Sequence, residues 1–235
     1  MRKIPYKTLL PIYMLVLTGF LIAAIGGSRA VTAWTATAPV TGRKTVVIDA
    51  GHGGVDGGAT SCTGVLESQF NLEIATKLND LMRLLGIQTH MIRQTDCSVY
   101  TQGETISQKK ISDLRERVRI VNSTQDCILI SIHQNHFSDS KYSGAQVFYP
   151  QTTGSRELSS MLQDTIKKTL NPDSNRQIKK ADGIYLMQNI NCPGVLIECG
   201  FLSNPREESL LRTDDYQRRL CSVIACTVST WLWST

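Results

Sequence analysis

Three stretches of this chain, TVVIDA at 45–50, CILISIH at 127–133 and GVLIECG at 194–200, are almost unbroken runs of aliphatic residues. They are too short for buried helices and too continuous for strands with one wet face, so they read as strands covered on both sides. Between them the apolar spacing changes to the helical period. Phe70, Ile74, Leu78, Leu81 and Leu85 recur in this way, with Gly86 as the stop. Leu114, Val118 and Val121 then share one face of an Arg/Lys/Glu-rich segment at 107–122. IQTHMIR (87–93) and GAQVFYP (144–150) read as further strands and GIYLMQ (183–188) as a short one, with helices near 155–170 and 214–232 and a polar loop at 94–106. Strands alternating with helices predict a single α/β domain over 45–235, a mostly parallel twisted sheet flanked by helices on both faces.

Ahead of that domain lie a hydrophobic segment and a tether. Residues 1–30 hold Arg2, Lys3, Lys7 and Arg29 and no acid, around the uncharged stretch 8–28. A basic start followed by an apolar run of this length predicts an N-terminal hydrophobic helix acting as a secretory signal or membrane anchor. The positive-inside rule then sends residue 30 onward out of the cytoplasm. Residues 31–44, rich in Thr and Ala, read as a linker. Those first 30 residues carry four of the 25 basic residues, leaving 21 against 20 acids. A body this close to neutral argues against a nucleic-acid reader, which keeps its positive charge on the folded domain. The seven cysteines are odd in number and form no C-x-x-C pair, which indicates neither a zinc ribbon nor a complete disulfide framework. Cys127, Cys221 and Cys226 read instead as small buried apolar residues.

In open α/β sheets ligands sit beyond the carboxyl ends of the strands. His52 follows the first run, His133 closes the second and Glu198 falls near the end of the third, so three chemically capable residues converge on one edge. Glu67, at the start of the next helix, lies on the same side of the sheet as His52. Two histidines and an acid are the three protein ligands that a catalytic zinc site uses, with the fourth position left for water. His52, Glu67 and His133 are therefore the candidate ligand set. The five glycines of VVIDAGHGGVDGGA (46–59) allow a tight turn that aims the imidazole of His52. A glycine-rich turn after a strand more often cradles phosphate, but the G-x-G-x-x-G spacing is absent and no G-K-[ST] follows. Asp49 is a candidate outer partner that fixes a histidine tautomer.

Four separated stretches, VVIDAGHGGVDGGA, GVLESQFNLEIA (64–75), SIHQN (131–135) and GVLIECGFLSNP (194–205), together resemble the zinc-dependent N-acetylmuramoyl-L-alanine amidases of bacterial cell walls. The resemblance runs from about 45 to 233. SGAQVFYP and GIYLMQN further resemble the membrane-anchored spore-cortex, germination-specific branch. It implies one zinc ion per chain on His52, Glu67 and His133, and Glu198 as the catalytic carboxylate. The implied reaction is hydrolysis of the amide between N-acetylmuramic acid and L-alanine in peptidoglycan. Glu198 would take the proton of the attacking water and return it to the leaving amine. In the spore branch another enzyme then deacetylates the stripped muramic acid and closes it to a lactam. The implied setting is extracytoplasmic, in the forespore intermembrane space, with peptidoglycan strands as substrate, the membrane as anchor and an activating protein as a further partner.

The chain departs from the family pattern at Ala50, where Pro is common, and at Ser68, where Lys often follows the glutamate. Asn135 is read as a substrate-positioning or outer-site residue, His136 as a surface histidine and His90 as structural. Arg93, Asp96 and Arg117 match family positions and are expected in buried ion pairs. Cys199, on the opposite side of its strand from Glu198, is expected in the core. Two other functions compete. A zinc carboxypeptidase would use a similar ligand trio but usually needs an arginine clamp for a terminal carboxylate, which the sequence does not assign. A catalytically silent wall-binding scaffold would have lost one of the four site residues, and all four are present.

Overall fold

In the computed structural model, which describes residues 44–234, the three aliphatic runs lie side by side at the centre of a six-stranded sheet. The strands are β1 (Thr45–Ala50), β2 (Thr89–Met91), β3 (Cys127–Asn135), β4 (Gln146–Tyr149), β5 (Lys179–Lys180) and β6 (Gly194–Phe201). The helices are α1 (Glu67–Leu84), α2 (Ile106–Ser123), α3 (Ser155–Thr169), α4 (Tyr185–Asn189), α5 (Pro205–Leu211) and α6 (Asp214–Ser234). The strand order is β2-β1-β3-β6-β4-β5. The first four strands are parallel, β4 runs antiparallel to β6, and β5 is parallel to β4. The sheet is therefore mixed: β2, β1, β3 and β6 keep the expected parallel arrangement, and β4 and β5 run the other way. β4 reaches the edge of β6 through the loop after β3, with no helix between them, and a connection without a crossover reverses the chain.

Each face of the sheet carries its own core. Val46, Ile48, Ile130, Ile132, Val195 and Ile197 point to the face covered by α1, α3 and α6, where Ile74, Leu78, Leu162, Ile224 and Trp231 pack against them. Val47, Leu129 and Leu196 point to the other face, covered by α2 and α4 through Val121, Leu186 and Met187. Period-two alternation on strands wrapped on both sides produces the continuous runs seen in the sequence. Burying each of these side chains contributes about 1.5–3 kcal/mol of transfer free energy.

Several elements differ from expectation. The second strand is only three residues long. GIYLMQ is not a strand: Leu186, Met187 and Ile190 are buried at a helical spacing on α4, after a turn at Gly183 with φ 81°. α5 went unrecognised, although Asn204 caps it by accepting from the Arg206 and Glu207 amides, with Pro205 in the first turn. Cys127, Cys199 and Cys221 are buried, but Cys226 faces solvent. No helix among the described residues is long and apolar enough to cross a membrane. The hydrophobic segment 1–30 and nearly all of the linker lie outside the described residues.

Candidate metal centre

β1 and β3 pair in register from Thr45–Cys127 to Ala50–Ile132, and β3 pairs with β6 so that His133 stands opposite Glu198. This alignment brings the carboxyl ends of the three central strands to one edge. His52 turns there in the left-handed region at φ 59°, an uncommon conformation for a residue with a Cβ. Such strain, on the order of 1–3 kcal/mol, persists where the surroundings over-determine it. Here they do. Arg117, from α2, donates through Nη1 to the Ala50 carbonyl at 3.0 Å and through Nη2 to the His52 carbonyl at 2.6 Å. Arg93 donates to the carbonyls of Ala50 at 2.8 Å, Gly51 at 3.0 Å, Ser68 at 2.9 Å and Thr95 at 3.0 Å.

His52, Glu67 and His133 each offer one ligand atom, all within 4.8 Å of one another. Glu67 is the fixed member, buried at the start of α1. Its carboxylate accepts from the Ala59 amide at 3.0 Å, the Gln134 amide at 3.2 Å and the Asn71 side chain at 3.2 Å. His52 Nε2 lies 3.2 Å from Glu67 Oε2, and His133 Nδ1 lies 3.1 Å from Glu67 Oε1. Burial opposes its charge, but the bonds to His133 and His52 hold the carboxyl well below its ordinary range. The other nitrogen of His52, Nδ1, meets Asp56 Oδ2 at 2.9 Å, and Lys110 Nζ holds Asp56 Oδ1 at 2.8 Å. Burial disfavours the imidazolium, yet the bonds to Asp56 and Glu67 outweigh it and push His52 up to about 9 in the metal-free protein. Any metal binding here displaces that proton.

Two nitrogens and a carboxylate, with no thiol among them, form a donor set that suits zinc, and three protein ligands leave a position for water or substrate. Glu198 adds an observation of its own. Its Oε2 is buried without a hydrogen-bond partner, and burial pushes the carboxyl up to about 7. An orphaned, proton-avid carboxylate opposite a ligand histidine is suited to accept and return a proton. A cavity of about 180 Å³ opens beside the histidines, lined by Val55, Lys109, Leu114, Ile184 and Leu186.

The outer residues are arranged differently from expectation. Among the described residues no hydrogen bond joins Asp49 to either ligand histidine. Its side chain follows Val47 to the α2 face, where Arg117 binds it in a buried ion pair and Ser131 Oγ donates to it at 2.6 Å. Asp56, four residues past His52 across the glycine turn, takes the histidine-facing place. Arg93 is buried as expected but serves backbone carbonyls rather than an acid. Asp96 is exposed and accepts from the Gly54 amide at 2.9 Å. Asn135 ends β3 opposite Phe201, with its carbonyl bonded to the Leu202 amide at 2.8 Å. No side-chain hydrogen bond joins it to the ligand trio among the described residues. Both His90 and His136 are exposed. Asn71, one helical turn after Glu67, was overlooked although the i, i+4 spacing was readable. Its amide also donates to the Gly51 carbonyl, and its oxygen accepts from Gln134.

Gly51 has a steric role. A Cβ there would lie 2.2 Å from His133 Nε2. Gly51→Ala is therefore expected to push the ring aside and weaken zinc binding about 10-fold or more. Competition with a chromophoric chelator measures this. Unchanged affinity would mean that the ring shifts without cost.

The chain is similar to several known proteins. The family model described as N-acetylmuramoyl-L-alanine amidase matches residues 46–229. The germination-specific N-acetylmuramoyl-L-alanine amidase of Bacillus subtilis is 39% identical over 188 residues, 79% of this chain and 78% of that protein. The CwlD amidase of Clostridioides difficile, solved in complex with the GerS lipoprotein, superposes with a TM-score of 0.78 at 38% identity, covering 82% of this chain and 100% of that one. An N-acetylmuramoyl-L-alanine amidase of Clostridium difficile 630 superposes with a TM-score of 0.73 at 30% identity, covering 83% and 100%. With most of its length matched, the chain belongs to the N-acetylmuramoyl-L-alanine amidase family, the peptidoglycan amidases that cleave between N-acetylmuramic acid and L-alanine.

Proposed function

We propose that this chain is an exported, zinc-dependent amidase that strips stem peptides from spore-cortex peptidoglycan. The observation that carries the zinc reading is the convergence of His52, Glu67 and His133 within 4.8 Å, with the orphaned Glu198 carboxylate on the neighbouring strand. A zinc ion held by that trio would polarise the scissile carbonyl and acidify its bound water. Asp56 and Lys110 keep the His52 ring turned toward Glu67, and Asn71 with the Gln134 amide keeps the Glu67 carboxylate turned toward both histidines. Glu198 takes a proton from the attacking water and delivers it to the nitrogen of the departing L-alanine. Its elevated affinity for protons matches both steps near neutral pH. The cavity walled by Val55, Leu114 and Leu186 gives the substrate an apolar flank.

The spore assignment rests on the similarity to the germination-specific amidase, and a protein partner is supported by the GerS complex of the related CwlD. Residues 1–30 serve as signal or anchor and 31–44 as tether in this reading, which places the domain from 45 onward between the forespore membranes. The full chain, purified in detergent with zinc, is to be incubated with peptidoglycan and its products identified by mass spectrometry. Stem peptides with a free N-terminal alanine are the expected product, and a chelator should abolish them. Release of single C-terminal amino acids would overturn the amidase reading in favour of a carboxypeptidase. Wall binding without any cleavage, with zinc bound and the lipoprotein partner added, would leave only a scaffold.

A further inference from the structure

β3 and β6 deliver the two residues that face each other across the site, His133 and Glu198. Six residues upstream on each strand's chain stands a cysteine, Cys127 and Cys192. The register begins with Leu129 opposite Gly194, and continued two residues earlier it sets Cys127 of β3 against Cys192 in the bend just before β6. The chains still run together at that point, because the Leu129 amide donates to the Pro193 carbonyl at 2.9 Å. Both thiols lie on the face that carries Leu129 and Leu196, the α2 and α4 side. The two thiols interact electrostatically, and Cys127 Sγ donates to the Val121 carbonyl at 3.5 Å. Facing positions on neighbouring strands are about 4.8 Å apart, inside the roughly 4.4–6.8 Å between Cα atoms that a disulfide spans. Cys127 is buried and Cys192 half-buried, so an external reagent reaches the pair from one side.

We propose that Cys127 and Cys192 form a disulfide that locks the register of the two strands carrying His133 and Glu198. The physiological setting rests on the export reading above, since such bonds persist outside the reducing cytoplasm. The oxidant is a small or protein disulfide. The two S–H bonds and the external S–S bond break, the Cys127–Cys192 bond forms, and the oxidant leaves as two thiols carrying the two protons. The closed loop, residues 128–191, contains the rest of β3 with β4, α3, β5 and α4. Joining its ends removes conformations from the unfolded chain that a reduced protein would keep. A one-residue slip of β6 against β3 would turn Glu198 to the opposite face, and the cross-link forbids that slip.

The test equilibrates the reduced full chain in glutathione buffers from reducing to oxidising, then alkylates free thiols and maps peptides without reduction. The Cys127 and Cys192 peptides are expected joined, about 2 Da lighter than the separate pair, since two hydrogens are lost. The oxidised protein should unfold on the order of 10 °C higher than the reduced one. Cys192→Ser should abolish that difference while melting with the reduced wild type. Alkylation of both thiols in the most oxidising buffer would overturn the proposal, as would a link joining other cysteines. A Cys127–Cys192 link without a rise in midpoint would overturn the locking role. Failure of export would show as chain retained in the cytoplasmic fraction, and it would leave the cross-link formed in vitro unchanged.

Discussion

Glu198→Gln should lower the rate of stem-peptide release by about 10²–10⁴-fold while leaving zinc binding nearly unchanged. The amide keeps the shape of the side chain but can no longer accept a proton from water, and Glu198 is not one of the three residues whose ligand atoms converge. A second readout separates catalysis from folding. In the metal-free protein the carboxyl sits at about 7, raised by burial, with His133 and His52 pulling the other way and Glu67 adding to the rise. The ordinary value for glutamate is 4.5. A carboxyl raised in the folded state favours the neutral form there, so its charging destabilises the fold. That penalty is absent below pH 4.5, grows as pH rises toward 7 and is full above it. The glutamine variant, which never charges, should therefore unfold at higher temperature than wild type in chelator at pH 8, by up to about 3 kcal/mol, and match it at pH 4. Equal activity of the variant would remove Glu198 from the reaction. A variant less stable than wild type at pH 8 would mean that the carboxylate has a partner in the fold after all.

The residues of this centre were legible in the sequence to different depths, and the difference has a physical cause. His52, His133 and Glu198 stand at or just beyond the ends of three continuous aliphatic runs, and a strand's end fixes where the next side chain can go. Glu67 follows from its place at the first turn of a strongly periodic helix. The outer partners were harder because each depends on which face a strand presents to which helix. Asp49 has the right chemistry to orient a histidine, yet it shares the α2 face with Val47 and meets Arg117 instead. Asp56 gained the histidine because the left-handed turn at His52 swings the ring back over the glycine segment, a conformation no periodicity reports. The antiparallel β4 escaped for a related reason. VFY has the composition of a strand of either direction, and that direction is decided by the loop before it rather than by its own residues.

Arg117→Ala is expected to produce a large loss of stability. Its guanidinium is buried, bound to Asp49 and to Asp113, and donates to the Ala50 and His52 carbonyls. Burial works against its charge, but the two carboxylates outweigh that and raise its proton affinity above the ordinary arginine value. Removing it leaves Asp49, itself buried, with only the Ser131 hydroxyl, and strands the His52 carbonyl, while Arg93 still donates to that of Ala50. Breaking a buried pair from one side typically costs about 3–5 kcal/mol, which at this chain length is a drop of roughly 6–20 °C in the unfolding midpoint. Lysine should not rescue, because one ammonium cannot reach both carboxylates and both carbonyls in the fixed geometry of the guanidinium fork. Asp49→Asn in the alanine background should recover part of the loss, since the amide removes the uncompensated charge. Thermal unfolding of the four proteins in this cycle measures the coupling. Zinc affinity supplies the site readout: with the His52 carbonyl released, the strained turn relaxes and binding should weaken about 10–100-fold. If Arg117→Ala melts with wild type, Asp49 must reach water in the variant. The strain at His52 would then be held by Arg93 and the Asp56 bond alone.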